Sequence, residues 1–178
     1  MTDPLFFDTD CISAFLWVNN ESIVARLYSK RIIIPKQVYD ELSNPSIQHL
    51  KQKLDALINA GEASVMQIDI ESDAYNIYLE LTSHPQNGHM VIGRGEAAAI
   101  SLAKTHSGIL ASNNLKDISQ YVKEYGLINL TTGDILKEAL NQGIISEAQG
   151  NAIWANMLRK RRKLGYSTFS DYLQSKIE

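Results

Sequence analysis

Four acidic residues lie at or near the ends of apolar runs, and their type favours one kind of chemistry. They are Asp8, Glu41, Glu96 and Asp117. Carboxylate oxygens suit hard cations, and Mg²⁺ typically takes one or two carboxylates while keeping several waters. A cation held in this way activates water and polarises a phosphoryl oxygen. The four acids therefore predict magnesium-dependent phosphate chemistry, but they do not select RNA hydrolysis over other reactions of that class.

Asp8 and Glu41 each have a second, purely structural interpretation. Asp8 ends the apolar run 5–7, where a buried carboxylate is costly unless something such as a cation compensates it. Alternatively, Asp8 or Asp10 only caps the helix that follows. Glu41 lies three residues after Val38, beside the buried stripe of an amphipathic helix, but surface helices carry many glutamates.

Glu96 is the most informative of the helical acids. Apolar residues follow it at i+3, i+4 and i+7, which places Glu96 on the core face of its helix. The alternative is a first-turn glutamate that interacts with the helix dipole. Asp117 follows Asn114 by three residues, so Asn114 could cap a helix with Asp117 in its first turn.

Short apolar strands alternate with helices along the chain. The pattern predicts strands at 5–7, 31–34, 64–68, 109–111 and 127–130, with helices over about 12–17, 35–43, 47–59, 73–83, 96–106, 115–125, 134–141, 146–163 and 169–177. Such alternation predicts an α/β fold with a mainly parallel sheet covered on both faces. Sites in these folds collect at the carboxyl ends of the strands, where Asp8 and the pair Asn113-Asn114 fall.

Composition favours an ordinary globular protein in a reducing compartment. The 178 residues are 44% hydrophobic and 21% charged, with a net charge of −3. Cys11 is the only cysteine, which excludes an intramolecular disulfide and argues against a cysteine-based zinc site. No apolar run approaches the roughly 20 residues of a membrane helix, and the first residues lack a basic signal-peptide region. We therefore expect a cytoplasmic location without membrane association.

A run of five bases, residues 159–163, stands out in the C-terminal part of the chain, which is net basic after an acidic body. On a helix that continues to residue 163, Arg159, Arg162 and Lys163 share a face. One interpretation is phosphate contact, and it predicts that Arg159, Arg161, Arg162 and Lys163 bind nucleic acid. The other is a solvated helix end, where cations favour the helix dipole.

Four segments, taken in order, resemble the PIN domain family. Residues 7–13 (FDTDCIS) resemble its opening strand and Asp-Thr-(Asn/Asp) turn, and residues 34–42 resemble its second strand and glutamate-bearing helix. Residues 95–103 (GEAAAISLA) are similar to its Gly-Glu-Ala-x-Ala-Ile segment, and residues 110–118 to its strand followed by Thr-x-Asn-x-x-Asp-Phe. Together the motifs cover about residues 5–130, and the ordered set is more specific than any one of them.

The resemblance implies a three-layer α/β/α sandwich around a five-stranded sheet, with an acidic pocket for Mg²⁺ or Mn²⁺ and endoribonuclease activity. By matching position, the catalytic acids would be Asp8, Glu41, Glu96 and Asp117, of which Asp8, Glu96 and Asp117 would hold the metal. Neighbouring side chains would support them through hydrogen bonds: Thr9, Asp10, Ser112, Asn113 and Asn114.

The resemblance also carries an organisation and a set of partners. Residues 1–130 would form the nuclease domain, and residues 131–178 a C-terminal helical extension packed on it. RNA would be the substrate. Many relatives are toxins of bacterial toxin–antitoxin pairs and homodimers are common among them, so an antitoxin protein and a second copy of the chain are the expected partners.

One departure from the family pattern concerns Asn113-Asn114, where many relatives carry aspartate. Asparagine can bind a cation through its carbonyl oxygen but adds no negative charge. Either Asp117 takes the role, or the site is weakened. The leading prediction is a metal-dependent endoribonuclease, and the alternative is a catalytically impaired RNA-binding or protein-interaction module. A nucleotide-binding α/β protein is disfavoured because no strand precedes G-x-G-x-x-G or a P-loop. Asp134 is a further candidate acid, or a helix cap.

Overall fold

Five short strands alternate with helices over residues 3–177, the part of the chain that the computed structural model describes. The elements are β1 (Leu5–Phe7), α1 (Thr9–Trp17), α2 (Glu21–Tyr28), β2 (Ile32–Pro35), α3 (Lys36–Leu42), a 3₁₀ turn (Pro45–Ile47), α4 (Gln48–Asn59), β3 (Ala63–Met66), α5 (Asp73–Ser83), α6 (Arg94–Thr105), β4 (Ile109–Ala111), α7 (Leu115–Tyr125), β5 (Asn129–Leu130), α8 (Thr132–Asn141), α9 (Glu147–Arg159) and α10 (Phe169–Gln174). In this part of the chain, every helix is too short or too polar to cross a membrane.

All five strands run parallel in the order β3-β2-β1-β4-β5, with β1 in the centre. Phe7 pairs with Ala111 at the end of β1 and β4. The ladder continues one step further, because the Asp8 amide donates to the Ala111 carbonyl at 3.0 Å. Asp8 and the segment that follows β4 therefore lie side by side at the carboxyl edge of the sheet, as the sequence predicts.

The sheet buries both faces, which confirms the three-layer α/β/α prediction. Side chains alternate along a strand, so Leu5 and Phe7 enter one core and Phe6 the other. The first core receives α1–α4 and the C-terminal helices, and the second receives α5, α6 and α7. The three inner strands β1, β2 and β4 are buried on both sides, which explains why they read as continuous apolar runs. The edge strands β3 and β5 are partly exposed.

The C-terminal helices α8, α9 and α10 contribute to the first core. Trp154 and Met157 are fully buried in it, as anchors rather than as exposed surfaces. Two glycines allow α10 to pack closely, because a Cβ on Gly133 or Gly150 would lie 2.5 Å or less from the rings of Tyr172 and Phe169. These helices therefore share a core with β1 and α1, while the division at residue 130 stays a prediction.

Two predicted elements differ from the structure. The sequence analysis does not predict α2, whose N-cap residue Asn20 makes no side-chain capping bond. The predicted helix to residue 163 is wrong, because α9 ends at Arg159. Arg161 has a φ of +60°, and the amides of Arg161 and Arg162 donate to the carbonyls of Leu158 and Met157. This is a Schellman turn, so Arg159, Arg162 and Lys163 do not share a helix face.

Candidate metal and nucleic-acid site

Asp8 lies at the end of β1 with its side chain fully buried. Its Oδ1 accepts a 2.7 Å hydrogen bond from the Cys11 amide, so it does cap α1. Its Oδ2 is buried and makes no hydrogen bond of normal geometry, although the Ser112 hydroxyl lies near the carboxyl group. Burial raises the pKa of Asp8 to about 7, and repulsion from Asp10 and Glu96 adds to the rise, although the nearby Ser112 hydroxyl and the Cys11 amide oppose it. Capping therefore explains only one of the two oxygens.

Glu96 and Asp117 meet at a single side chain, that of Asn114. The Asn114 Nδ2 donates to Glu96 Oε1 at 2.7 Å and to Asp117 Oδ2 at 2.8 Å. Glu96 Oε2 also accepts from the Gly93 amide at 3.2 Å, so Glu96 satisfies the N-cap amide at the start of α6. Asn114 stands at the N-cap position of α7 but makes no side-chain capping bond, so its amide serves the two acids instead.

The pKa of Glu96 is raised, first by burial and then by repulsion from Asp117 and Asp10, while the hydrogen bonds from Asn114 and Gly93 oppose the rise. Asp8 and Glu96 thus both favour their neutral forms relative to free carboxyl groups. The groups that oppose the rise in the pKa of Asp8 are the neutral donors Ser112 and Cys11, whereas Asp10 and Glu96 add negative charge beside it. A positive charge placed there would lower both pKa values.

Glu41 connects three elements. Its Oε1 accepts from the Gly95 amide at 3.1 Å, and its Oε2 accepts a hydrogen bond from the Thr9 hydroxyl. A Cβ on Gly95 would lie 2.7 Å from Thr9 Oγ1 and 2.9 Å from Glu41 Oε2. The absence of a side chain at residue 95 therefore allows α1, α3 and the first turn of α6 to converge.

Asn113 is turned away from the acids and holds the sheet to α8. Its Nδ2 donates to Thr132 Oγ1 at 2.8 Å, and its Oδ1 accepts from the Thr132 amide at 2.7 Å. Asp134 is engaged as a cap, since it accepts from the Thr131 amide at 2.9 Å and from the Tyr172 hydroxyl at 2.5 Å. Neither side chain is available to the acidic site, and for Asp134 the capping interpretation holds.

The described residues contain no group of three or more His, Cys, Asp or Glu side chains already gathered around one metal position. Of the predicted ligands, Glu96 and Asp117 both bond to Asn114, and Asp8 is close enough to Glu96 for their charges to repel. The three carboxyl groups do not surround a common centre. Their donor chemistry still suits a hard cation, because Asp8 Oδ2 is buried and unpartnered and all donors are oxygens. The ligand set stays a prediction.

A cleft of about 570 Å³ opens beside these acids. Its walls include Asp10, Asn114, Lys116, Asp117, Lys163 and Tyr166. Lys116 lies between Asn114 and Asp117 in the chain, so its place beside the acids could have been predicted from the sequence. The place of Tyr166 could not, because only the turn after α9 brings it to the cleft.

The basic run is divided by the Schellman turn. Lys163 lines the cleft, whereas Arg162 lies over the Trp17 ring at 5.9 Å, with a guanidinium nitrogen 4.0 Å from Asp10. Arg159 bonds to Asn156 on the same helix, and Arg161 is exposed. The structure thus brings Lys163 and Arg162 to the acidic edge and leaves Arg159 on the outer surface of α9.

Comparison with known proteins agrees with this architecture. A chain of the crystal structure of VapBC2 from Rickettsia felis, bound to a DNA fragment from their promoter, is similar in fold with a TM-score of 0.50. The match covers 71% of this chain and 97% of that chain at 19% identity. The comparison with curated proteins finds no match. A family model described as PIN domain matches residues 5–176. The chain therefore belongs to the PIN domain family.

Proposed function

We propose that this protein is a divalent-metal-dependent endoribonuclease with Asp8, Glu41, Glu96 and Asp117 as its acidic site. The observation that carries the proposal is the buried, unpartnered Oδ2 of Asp8 at the end of the central strand. An ionised carboxylate in such a place is costly unless a charge compensates it. The raised pKa values of Asp8 and Glu96 are consistent with a site that binds a cation.

The ligands would be Asp8, Glu96 and Asp117. Mg²⁺ or Mn²⁺, when bound, would activate a water and polarise the scissile phosphate. The Asn114 amide would have to leave its bridging position and offer its carbonyl oxygen instead, because an N–H group repels a cation. Glu41 accepts from the Gly95 amide and the Thr9 hydroxyl, and it would orient the attacking water.

RNA contact is proposed for the basic side chains around the turn after α9. Lys163 lines the cleft and Arg162 lies beside Asp10, and these positions support phosphate contact by both side chains next to the acids. Arg161 is exposed on the same turn. Arg159 is further away, and its part would be limited to long-range attraction.

A toxin role in a toxin–antitoxin pair is supported by the likeness in fold to a chain of VapBC2. We therefore propose an antitoxin protein as a partner of this chain, and a homodimer as its assembly. A second function, a catalytically impaired RNA-binding or protein-interaction module, is favoured by one observation. The neutral Asn114 amide already bonds to two of the proposed ligands, so the site carries less charge than one with aspartate there.

The test is an Mn²⁺ titration of the wild type and Asp8→Asn, followed by thermal shift and by cleavage of a single-stranded RNA. Asp40→Asn is the matched control, since Asp40 is an exposed acid next to Glu41 and bonds only to Lys36 on its own helix. Stabilisation and cleavage in the wild type and control, with neither in Asp8→Asn, would support the nuclease. Stabilisation without cleavage would favour the module. The absence of any response to Mn²⁺ would overturn the metal site.

A further inference from the structure

The cleft beside the acids combines features that suit a nucleotide. Its volume of about 570 Å³ is within the range of small-molecule sites, roughly 300–1,000 Å³. Asp10, Asn114 and Asp117 supply one part of the lining, and Lys163 and Tyr166 on the turn after α9 supply another. A polar anion and a flat aromatic group would find complementary partners in the same space.

Two lysines of the cleft are available for phosphate. Within residues 3–177, neither Lys116 nor Lys163 has a carboxylate within 4.0 Å, whereas Lys176 pairs with Asp134 at 3.2 Å. Lys116 is one residue from Asp117 in the first turn of α7. A phosphate between Lys116 and Lys163 would therefore lie next to the acidic site. In one RNA strand it would be adjacent to the phosphate bound at the acidic site.

Tyr166 offers an aromatic surface that is exposed but held in place. It remains 42% exposed, and its ring makes an edge contact with Tyr172 at 5.6 Å and 80°. Its carbonyl accepts a 3.0 Å hydrogen bond from the buried Trp154 indole. A ring fixed in this way can stack on a base with little loss of side-chain entropy.

The turn that carries Lys163 and Tyr166 is anchored at both ends. Leu164, between them, packs against the first core, and Gly165 takes a φ of +80° that favours glycine. The Schellman turn fixes the start of the segment. Lys163 and Tyr166 are therefore placed by the fold rather than by chance contacts.

We propose that this cleft binds one nucleotide of single-stranded RNA, with its base stacked on Tyr166 and a phosphate held by Lys116 and Lys163. The proposal rests on the proposed nuclease function and names the form of its substrate. A base must leave its own stack to reach Tyr166, so the cleft selects single strands over duplexes.

The experiment measures binding of a fluorescein-labelled single-stranded RNA hexamer to the full chain by anisotropy in EDTA, over a series of salt concentrations. We expect Tyr166→Ala to raise Kd roughly tenfold and Tyr166→Phe to leave it nearly unchanged, because phenylalanine keeps the stacking face. Lys116→Ala and Lys163→Ala should each reduce the slope of log K against log salt by about 0.7. A duplex of the same sequence should bind less tightly.

The matched control is Lys123→Ala, since Lys123 is an exposed lysine at the other end of α7, outside the cleft. An unchanged slope for Lys123→Ala with reduced slopes for the cleft lysines supports the proposal. Wild-type affinity in Tyr166→Ala, or equal affinity for the duplex, would overturn it. Because EDTA removes cations, the binding result is independent of cleavage. Binding at the cleft without an Mn²⁺ response would identify an RNA-binding module. Mn²⁺-dependent cleavage by a protein whose cleft variants bind RNA like the wild type would refute the cleft proposal alone.

Discussion

Asn114 donates hydrogen bonds to both Glu96 and Asp117, so a neutral amide lies between two carboxylates at the carboxyl edge of the sheet. In the absence of a cation this arrangement reduces their repulsion. The amide in that position stabilises the protein but opposes cation binding. Asn114 therefore bears on whether the protein is a metal-dependent nuclease or a catalytically impaired module.

Replacement of Asn114 by aspartate should therefore change stability in opposite directions with and without metal. In EDTA, Asn114→Asp loses two hydrogen bonds and adds a third negative charge, and we expect a loss of about 1–3 kcal/mol in the free energy of unfolding. In Mn²⁺ the added carboxylate should raise affinity and recover much of that loss. Asn113→Asp is the comparison, because Asn113 bonds to Thr132 instead. Equal Mn²⁺ responses in the two variants would contradict the role given to Asn114.

The stability of the metal-free protein should fall as pH rises from about 4 to 7. The pKa of Asp8 is raised from 3.8 to about 7 in the folded state, so the folded protein retains a proton in this range that the unfolded chain releases. The free energy of unfolding then decreases with pH until Asp8 is ionised in both states. At about 1.4 kcal/mol for each pKa unit, the change amounts to a few kcal/mol.

Asp8→Asn removes this dependence, so the variant should gain stability over the wild type near pH 8 in EDTA and lose that advantage near pH 5. Urea denaturation at several pH values measures the effect. Glu71→Gln is the control, since Glu71 is an exposed acid before α5. A wild-type protein that is equally stable at pH 5 and pH 8 would show that Asp8 is not protonated in the folded state.

Gly95→Ala should damage both stability and cleavage. The added Cβ would lie within 3 Å of Thr9 Oγ1 and Glu41 Oε2, so α6 and Glu41 must separate, at a cost of about 1–3 kcal/mol. Gly93→Ala is the matched control two residues earlier, where the new Cβ would lie 3.4 Å from Glu96 Oε2 at the end of a flexible side chain. Thermal unfolding and RNA cleavage of both variants provide the measurement, and equal effects would argue against the close approach at Gly95.

The positions of the acids were more predictable than their contacts. Asp8 follows a buried strand and Glu96 shares the apolar face of its helix, and both patterns depend only on local periodicity. The parallel sheet and its two covered faces follow from the same alternation. The bridging amide of Asn114 was not predictable from the sequence. An asparagine at an N-cap position is expected to bond to the backbone amides of its own helix, and that local bond competes with bonds to the two acids.

The end of α9 was mispredicted for a related reason. Apolar and basic residues continue the helical pattern through residue 163, and no glycine or proline occurs between Gly150 and Gly165. The chain instead takes a left-handed conformation at Arg161, a residue type that rarely adopts it. Tertiary contacts stabilise this conformation, because the turn allows Leu164 to pack against the core and the Trp154 indole to donate to the Tyr166 carbonyl. Such long-range contacts override local helix preference and have no local signature.

Arg161 allows the backbone and charge contributions of this turn to be separated. Arg161→Gly should stabilise the protein by about 0.5–1 kcal/mol, because glycine adopts a φ of +60° without the steric penalty of a Cβ but loses more entropy on folding. Arg161→Ala removes the same charge while it keeps the penalty, so it should show no such gain. If Arg161 contacts RNA phosphates, both variants should reduce the salt slope of RNA binding equally, since both lack the guanidinium. Equal stability of the two variants in urea denaturation would mean that the left-handed turn is not formed at Arg161.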